Sequence, residues 1–140
     1  MKKVELLAPA GDLQSLKTAL KERADAVYFG AKSFNARLKA DNFGEDLKSV
    51  VTLVHMHGAK AYLTLNTIIE NDQFNQLLQT VQNALNAGVD AFIVQDFGVC
   101  NLIKHSFPQA EIHTSTQMAV NNYLGAIYAE KMGAFGGLGL

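Results

Sequence analysis

The sequence repeats one junction three times, as Arg23-Ala-Asp-Ala-Val-Tyr-Phe-Gly30, His57-Gly-Ala-Lys-Ala-Tyr-Leu-Thr-Leu-Asn66 and Asn86-Ala-Gly-Val-Asp-Ala-Phe-Ile-Val-Gln-Asp96. In each copy a helix-like segment ends in a small residue, and a short apolar run follows it. The aligned alanines, at positions 26, 61 and 91, are 35 and 30 residues apart. One strand, one helix and two short loops use about that much chain. The repeat therefore predicts consecutive βα units.

Five strands are predicted from the apolar runs. These runs are short and near-continuous, which is typical of strands covered on both faces. Strict alternation of strands with helices implies parallel strands joined by right-handed crossovers. The predicted strands are Val4–Ala8, Ala26–Phe29, Lys60–Leu65, Ala91–Gln95 and Glu111–Thr116.

Two of the predicted helices begin at acidic residues, and several end near glycine or proline. Asp12 and Asp72 are acidic residues that suit the N-cap position. Gly58 and Gly88 stand where a helix C-terminus favours a left-handed residue. The predicted helices run from about 12 to 24, 43 to 57, 72 to 87, 98 to 106 and 121 to 132.

The polar residues distinguish a barrel from an open sheet. After strand one the turn reads Ala8-Pro-Ala-Gly-Asp12 and lacks the glycine-rich phosphate loop of a doubly wound sheet. Polar side chains instead gather at the C-terminal ends of several strands, where barrel enzymes build their sites. They are Asn66, Gln95, Asp96, His113, Ser115 and Thr116. We therefore expect an α/β fold, a parallel TIM-barrel-like domain, with the doubly wound sheet as the alternative.

The predicted barrel is incomplete, with about five βα units over residues 1–133. Residues 134–140 hold three glycines in seven positions, which makes a poor sixth strand. We expect a glycine-rich tail there. Five units cannot close an eight-stranded barrel, so the outer strands should present open edges, and we expect self-association through them.

Composition excludes several classes of protein. Of the 140 residues, 49% are hydrophobic and 18% are charged, which excludes disorder. The formal charge is −1, and the basic residues are scattered, so neither DNA nor a membrane surface is an expected partner. Pro9, Gly11 and Asp12 interrupt any N-terminal apolar region, which excludes a secretory signal. We expect a cytoplasmic protein.

Four segments resemble the N-terminal region of the U32 peptidase, or collagenase-like, family. They are Glu5-Leu-Leu-Ala-Pro-Ala-Gly-Asp12, Ala24-Asp-Ala-Val-Tyr-Phe-Gly30, Phe34-Asn-Ala-Arg37 and Ser115-Thr-Gln-Met118. The resemblance implies a TIM-type barrel followed by further segments. Some members are labelled proteases, whereas others resemble proteins that hydroxylate RNA bases or the ubiquinone ring with an iron–sulfur cluster.

In the family, four cysteines in a later region hold that cluster. Cys100 is the only cysteine here and does not match that region. We therefore expect no cofactor in this chain and an iron–sulfur cluster only in a full-length parent. Three functions follow from the resemblance: a protease segment acting on peptides, a segment of an RNA-base or ubiquinone hydroxylation protein, or a non-catalytic folding or partner module.

The candidate catalytic residues are Asp96, His113 and Ser115. Alternation puts His113 and Ser115 on one face of strand five, with Cβ atoms about 7 Å apart. A serine nucleophile needs hydrogen-bond contact with its base, so this pair requires rearrangement to act. Asp96 is the nearby acid that could orient His113. In the alternative interpretation, these side chains only fill the top layer of the barrel.

The candidate substrate-binding residues surround that position. Asn35 and Arg37 lie in the long loop after strand two, and the planar fork of Arg37 suits a carboxylate or a phosphate. The others are Asn66, Gln95, Thr116 and Gln117. No metal site is expected, because His55 and His57 are two residues apart on a helix and point in different directions. Glu5, within strand one, is predicted to pair with Lys60 or Lys32.

Overall fold

The structure, a computed structural model, describes residues 4–30 and 47–134. The strands are β1 Leu7–Pro9, β2 Ala26–Gly30, β3 Lys60–Leu65, β4 Ala91–Val94 and β5 Ile112–Thr114. The helices are α1 Leu13–Lys21, α2 Leu47–Met56, α3 Phe74–Ala87, α4 Phe97–Ser106 and α5 Tyr123–Lys131, and 3-10 turns occupy Asn71–Gln73 and Thr116–Met118. Within this part of the chain, every helix is too short or too polar to cross a bilayer.

The five strands form one parallel sheet in the order β1-β2-β3-β4-β5. A doubly wound sheet reverses its strand order and places strand one inside the sheet. Here β1 pairs with β2 alone, at the edge. The order therefore confirms the predicted barrel-like α/β fold and excludes the doubly wound alternative.

The two faces of the sheet differ in what covers them. All five helices pack on one face, where residues such as Leu16, Val50, Val81, Ile103 and Ala129 join the strand residues in a single core. The opposite, inner face carries a smaller cluster of buried residues, which are Ala26, Tyr62, Ala91 and Ile93. Helices on one face only are the arrangement of a (β/α) barrel, whose inner face points to the barrel axis.

The aspartates of the repeated junction tie neighbouring strands together. Asp25 Oδ2 accepts a hydrogen bond from the backbone N–H of Leu6 at 2.8 Å. Asp90 Oδ2 accepts one from the N–H of Ala61, also at 2.8 Å, and contacts His55 Nε2 at 2.8 Å. In both copies the carboxylate satisfies a backbone donor at the start of the preceding strand, where the ladder leaves it unpaired.

Two predicted boundaries were wrong for local reasons. Strand one begins at Leu7, three residues later than its predicted start. The carbonyl of Leu6 still accepts from the N–H of Ala26, but its own N–H donates to the Asp25 carboxylate instead of to a backbone oxygen. Pro9 is tolerated in β1 because an edge strand needs fewer donors. Asp72 is not an N-cap: it lies inside the 3-10 turn, and Glu70 and Gln73 form the capping box.

The predicted caps at Asp12, Gly58 and Gly88 are confirmed. Asp12 accepts a hydrogen bond from the backbone N–H of Ser15 at 2.6 Å. Gly58 has a φ of 73° and Gly88 a φ of 94°, the left-handed conformation that favours glycine. Residues 135–140 of the predicted tail lie outside the described residues.

The Asp12 cap makes part of the stability dependent on pH. The backbone hydrogen bond from Ser15 lowers the pKa of Asp12 from its ordinary 3.8, because it favours the charged carboxylate. A carboxyl whose pKa is lower in the folded state stabilises the fold at pH values above its pKa in the unfolded chain. That stabilisation is lost as the pH falls through its pKa in the folded state. We expect Asp12→Ala to destabilise the protein at neutral pH, and the difference to shrink below about pH 4.

Asn122 supplies the matched control for this prediction. It caps α5 by accepting from the N–H of Gly125 at 3.0 Å, and its amide does not titrate. The loss of stability caused by Asn122→Ala should therefore not change with pH. Urea unfolding from about pH 2 to pH 7 measures the loss of stability in both variants. If the two losses depended on pH in the same way, the prediction would be contradicted.

Candidate functional site

A chain of polar side chains crosses the inner face of the sheet from β5 to β1. Tyr62 is at its centre and is 1% exposed. Its hydroxyl donates to the carboxylate of Glu5, with distances of 3.0 Å to Oε1 and 2.9 Å to Oε2. Among the described residues the partner of Glu5 is thus a tyrosine two strands away and not the predicted Lys60. The alternative partner, Lys32, lies outside the described residues.

His113 occupies the other side of Tyr62. The two rings meet edge to face, with centroids 4.8 Å apart and planes at 69°. His113 Nε2 lies 2.7 Å from Oε1 of Glu111. Glu111 precedes β5 and shares a face with His113, because residues two apart on a strand point the same way. We call these four residues, Glu5, Tyr62, Glu111 and His113, the inner-face cluster.

The protonation of Tyr62 follows from its surroundings. Burial raises the pKa of the Tyr62 hydroxyl far above its ordinary value, and the hydrogen bond to Glu5 and the nearby carboxylates raise it further. The phenol therefore keeps its proton and acts as a hydrogen-bond donor. A buried donor that faces a carboxylate fixes the position of both groups.

Asp96 has a different contact from the one predicted. It is the N-cap of α4, and its Oδ1 accepts from the backbone N–H of Val99 at 2.8 Å. We predicted Asp96 as the acid that orients His113; in the structure the carboxylate bonded to His113 is that of Glu111. The first turn of α4 needs acceptors for its free N–H groups, and Asp96 is the nearest one in sequence.

Ser115 also forms a hydrogen bond with a residue close to it in the sequence. Its side chain is buried, at 5% exposure, and its Oγ accepts from the N–H of Gln117 at 3.2 Å, where it caps the 3-10 turn Thr116–Met118. His113 has Glu111 as its partner instead. The described part of the chain thus holds the hydroxyl and the imidazole of this pair in separate hydrogen bonds.

The predicted rim residues fall in three positions. Asn66 and Gln95 are half-buried and directly follow β3 and β4, at the same edge of the sheet as Ser115. Thr116 and Gln117 are exposed in the turn after β5. Asn35 and Arg37 lie outside the described residues. The rim thus brings Asn66, Gln95 and Ser115 to neighbouring strand ends, above the inner-face cluster.

Residues 11–135 match the family model of peptidase family U32. The chain belongs to this family. It is 37% identical over 131 residues to the 23S rRNA 5-hydroxycytidine synthase of Escherichia coli. The alignment covers 94% of this chain and 20% of that protein. Relatives of this kind bear out the resemblance seen in the sequence.

Two further relatives have different names. A tRNA hydroxylation protein of Bacillus subtilis is 37% identical, over 87% of the chain and 29% of its own length. An uncharacterised protease of Methanocaldococcus jannaschii is 39% identical, over 91% and 31% respectively. The chain therefore spans less than a third of the length of the relatives compared.

The fold of the U32 chain agrees with a solved structure. The structure of a U32 peptidase superimposes with a TM-score of 0.71, over 96% of this chain and 58% of that one. The sequences are 17% identical in that alignment, so the match supports the fold alone.

The iron–sulfur cluster implied by the resemblance does not fit this chain. Such clusters are held on several cysteine thiolates, and the sequence has one cysteine. Burial raises the pKa of the Cys100 thiol, although the charge of Lys104 lowers it in part. Within residues 4–30 and 47–134, no group of three or more candidate ligands could hold a metal. We derive no step through a metal or cluster.

Sequence reasoning missed Glu111 and Tyr62 as members of the site. Strand alternation could have found Glu111, since it stands two residues before His113. Tyr62 was read as part of an apolar strand, and only the strand register, in which Ile93 pairs with His113 and Tyr62 with Ala91, brings its ring to the imidazole. That register depends on tertiary pairing and has no local signature.

Proposed function

We propose that this chain is the barrel segment with which a U32 protein binds an RNA substrate for base hydroxylation. The observation that carries the proposal is the separation of Ser115 from His113 into different hydrogen bonds. A serine hydrolase needs these groups in contact, whereas a binding site needs only polar groups at fixed positions. Two relatives at 37% identity are named for rRNA and tRNA hydroxylation.

The proposal gives substrate binding, and no redox step, to this chain. Asn66 and Gln95 at the rim offer amide donors and acceptors of the kind that read base edges. Arg37 suits a phosphate. A protein that modifies RNA also works in the cytoplasm, which agrees with the expected localisation.

Mass spectrometry of RNA nucleosides tests the proposal. The chain replaces the matching segment of the 5-hydroxycytidine synthase in an Escherichia coli strain deleted for that protein and, separately, the matching segment of the tRNA hydroxylation protein in a deleted Bacillus subtilis strain. The remainder of each relative then supplies the chemistry that this chain does not. We expect a hydroxylated nucleoside to return in one of the two strains. Its absence from both, with the protein present at normal level, would contradict the proposal.

The second candidate function is proteolysis, because a relative at 39% identity is named a protease. We expect the purified chain to cleave neither gelatin nor casein above background. The control is Ser115→Ala, which removes the serine predicted as the nucleophile. Cleavage by the wild-type chain that disappears in Ser115→Ala would favour the protease and reject the RNA proposal.

We also propose that the chain self-associates through its edge strands. Among the described strands, β1 and β5 each pair on one side only. Next to β5, helix α5 exposes Tyr123 by 76%, Leu124 by 75% and Tyr128 by 58%. Open edges and apolar patches favour association. Light scattering at micromolar concentration should show a dimer or larger species, and a monomer would contradict the expectation.

A further inference from the structure

We propose that Glu111 and His113 form a carboxylate–imidazole pair that offers His113 Nδ1 as a hydrogen-bond acceptor to the amino group of a nucleobase. The inference rests on the proposed RNA-binding function for the identity of the ligand. The pair itself rests on the geometry of the inner face. Glu111 is thus a positioning residue, and His113 is the residue that contacts the base.

The contact with Glu111 determines which nitrogen of His113 carries the proton. Nε2 lies 2.7 Å from Oε1 of Glu111, and an ionised carboxylate can only accept hydrogen bonds. Nε2 must therefore be the donor. In the neutral imidazole the other nitrogen, Nδ1, is then an acceptor.

A second contact fixes the plane of the imidazole. The edge-to-face contact with Tyr62 restrains the ring at a centroid distance of 4.8 Å. Tyr62 is itself immobilised, since it is buried and its hydroxyl donates to both carboxylate oxygens of Glu5. An acceptor fixed in advance loses little entropy when a ligand binds to it.

The acceptor is also within reach of a ligand. Among the described residues, His113 forms its one hydrogen bond through Nε2. Nδ1 has no partner among those residues, and the His113 side chain is 14% exposed.

The chemistry of the accessible atom selects the ligand. An imidazole lone pair takes an N–H or O–H donor and rejects another acceptor. Unstacked RNA bases present their Watson–Crick edges to proteins, and cytosine offers an exocyclic amino group there. Other bases also carry N–H donors, but a relative at 37% identity is named for 5-hydroxycytidine, so we take cytidine as the probe.

Nitrogen-15 NMR of the histidine side chains tests the pair without any ligand. In alkaline buffer we expect the neutral imidazole of His113 in the full chain to be the Nε2–H tautomer. Glu111→Gln keeps an acceptor oxygen and should keep this tautomer, whereas Glu111→Ala should mix the two. His105, exposed on α4, is the internal reference. An Nδ1–H tautomer in the wild-type chain would overturn the pair.

A cytidine titration tests the ligand. We expect cytidine to shift the Nδ1 resonance of His113, N4,N4-dimethylcytidine to leave it unchanged, and Glu111→Ala to weaken the effect about tenfold, the loss of one positioned hydrogen bond. No shift with cytidine, or equal shifts with both nucleosides, would overturn the ligand assignment. If the tautomer is Nε2–H but no hydroxylated nucleoside returns in the deletion strains, the proposed function fails while the pair stands.

Discussion

Replacing Phe92 with alanine is expected to lower the free energy of unfolding by about 3–5 kcal/mol, the usual cost of removing a buried aromatic ring. Phe92 is fully buried in β4, the strand in which all four residues are buried. It points toward the helices, in the larger core cluster. Its backbone pairs with Leu63 on one side and Ile112 on the other. The surrounding strands are therefore held in the ladder and cannot collapse into the cavity.

Phe97 provides the matched control for Phe92. It is five residues away in the same βα unit, is 43% exposed, and meets Tyr128 edge to face, with centroids 5.9 Å apart. Phe97→Ala should cost about 1 kcal/mol or less, because little area returns to water. Urea unfolding followed by circular dichroism measures both. Equal losses would mean that β4 is not the centre of the core.

The fold was predictable because each signal in the sequence is local and repeated. The junction pattern gave the βα units, and β3 has the predicted bounds, Lys60–Leu65, since its residues after Lys60 are mostly apolar and the left-handed Gly58 ends the helix before it. The strand order followed from the alternation. The start of β1 was not predictable, because it depends on the pairing with β2 and on the Asp25 carboxylate, nineteen residues away, which takes the N–H of Leu6.

The site was less predictable because local and distant partners compete for the same side chains. Asp96 and Ser115 were correctly placed near the C-terminal strand ends, but helix α4 and the turn after β5 use them as caps. A cap is formed within three residues and needs no tertiary contact. His113 has a local partner in Glu111, but its contact with Tyr62, like that of Tyr62 with Glu5, crosses the inner face. These cross-strand contacts depend on register, which sequence spacing alone does not fix.

Replacing Gly133 with alanine is the second change expected to have a large effect. Gly133 follows α5 with a φ of 93°, a conformation that costs an L-residue roughly 1–2 kcal/mol. An added Cβ would also lie 2.7 Å from Cγ and 2.9 Å from Cε of Lys104. Contacts this short force Lys104 to move.

Lys104 cannot move freely, because its far end is held. Its Nζ donates to the backbone oxygens of Ala110 at 2.7 Å and Pro108 at 3.3 Å, which ties α4 to the turn before β5. Moving the stem breaks these bonds, each worth about 1 kcal/mol. We therefore expect Gly133→Ala to cost about 2–4 kcal/mol in total.

Gly58→Ala separates the backbone cost of Gly133→Ala from the cost of displacing Lys104. Its φ is 73°, so alanine there meets the same backbone cost, but no heavy atom lies within 4 Å of the added Cβ. Gly58→Ala should therefore cost only the backbone part, about 1–2 kcal/mol. In a Lys104→Ala background, Gly133→Ala should lower the free energy of unfolding only by the backbone part, because the Lys104 atoms that the added Cβ would meet are gone. If Gly133→Ala and Gly58→Ala cost the same in urea unfolding, Lys104 yields without resistance and does not bind α4 to the turn.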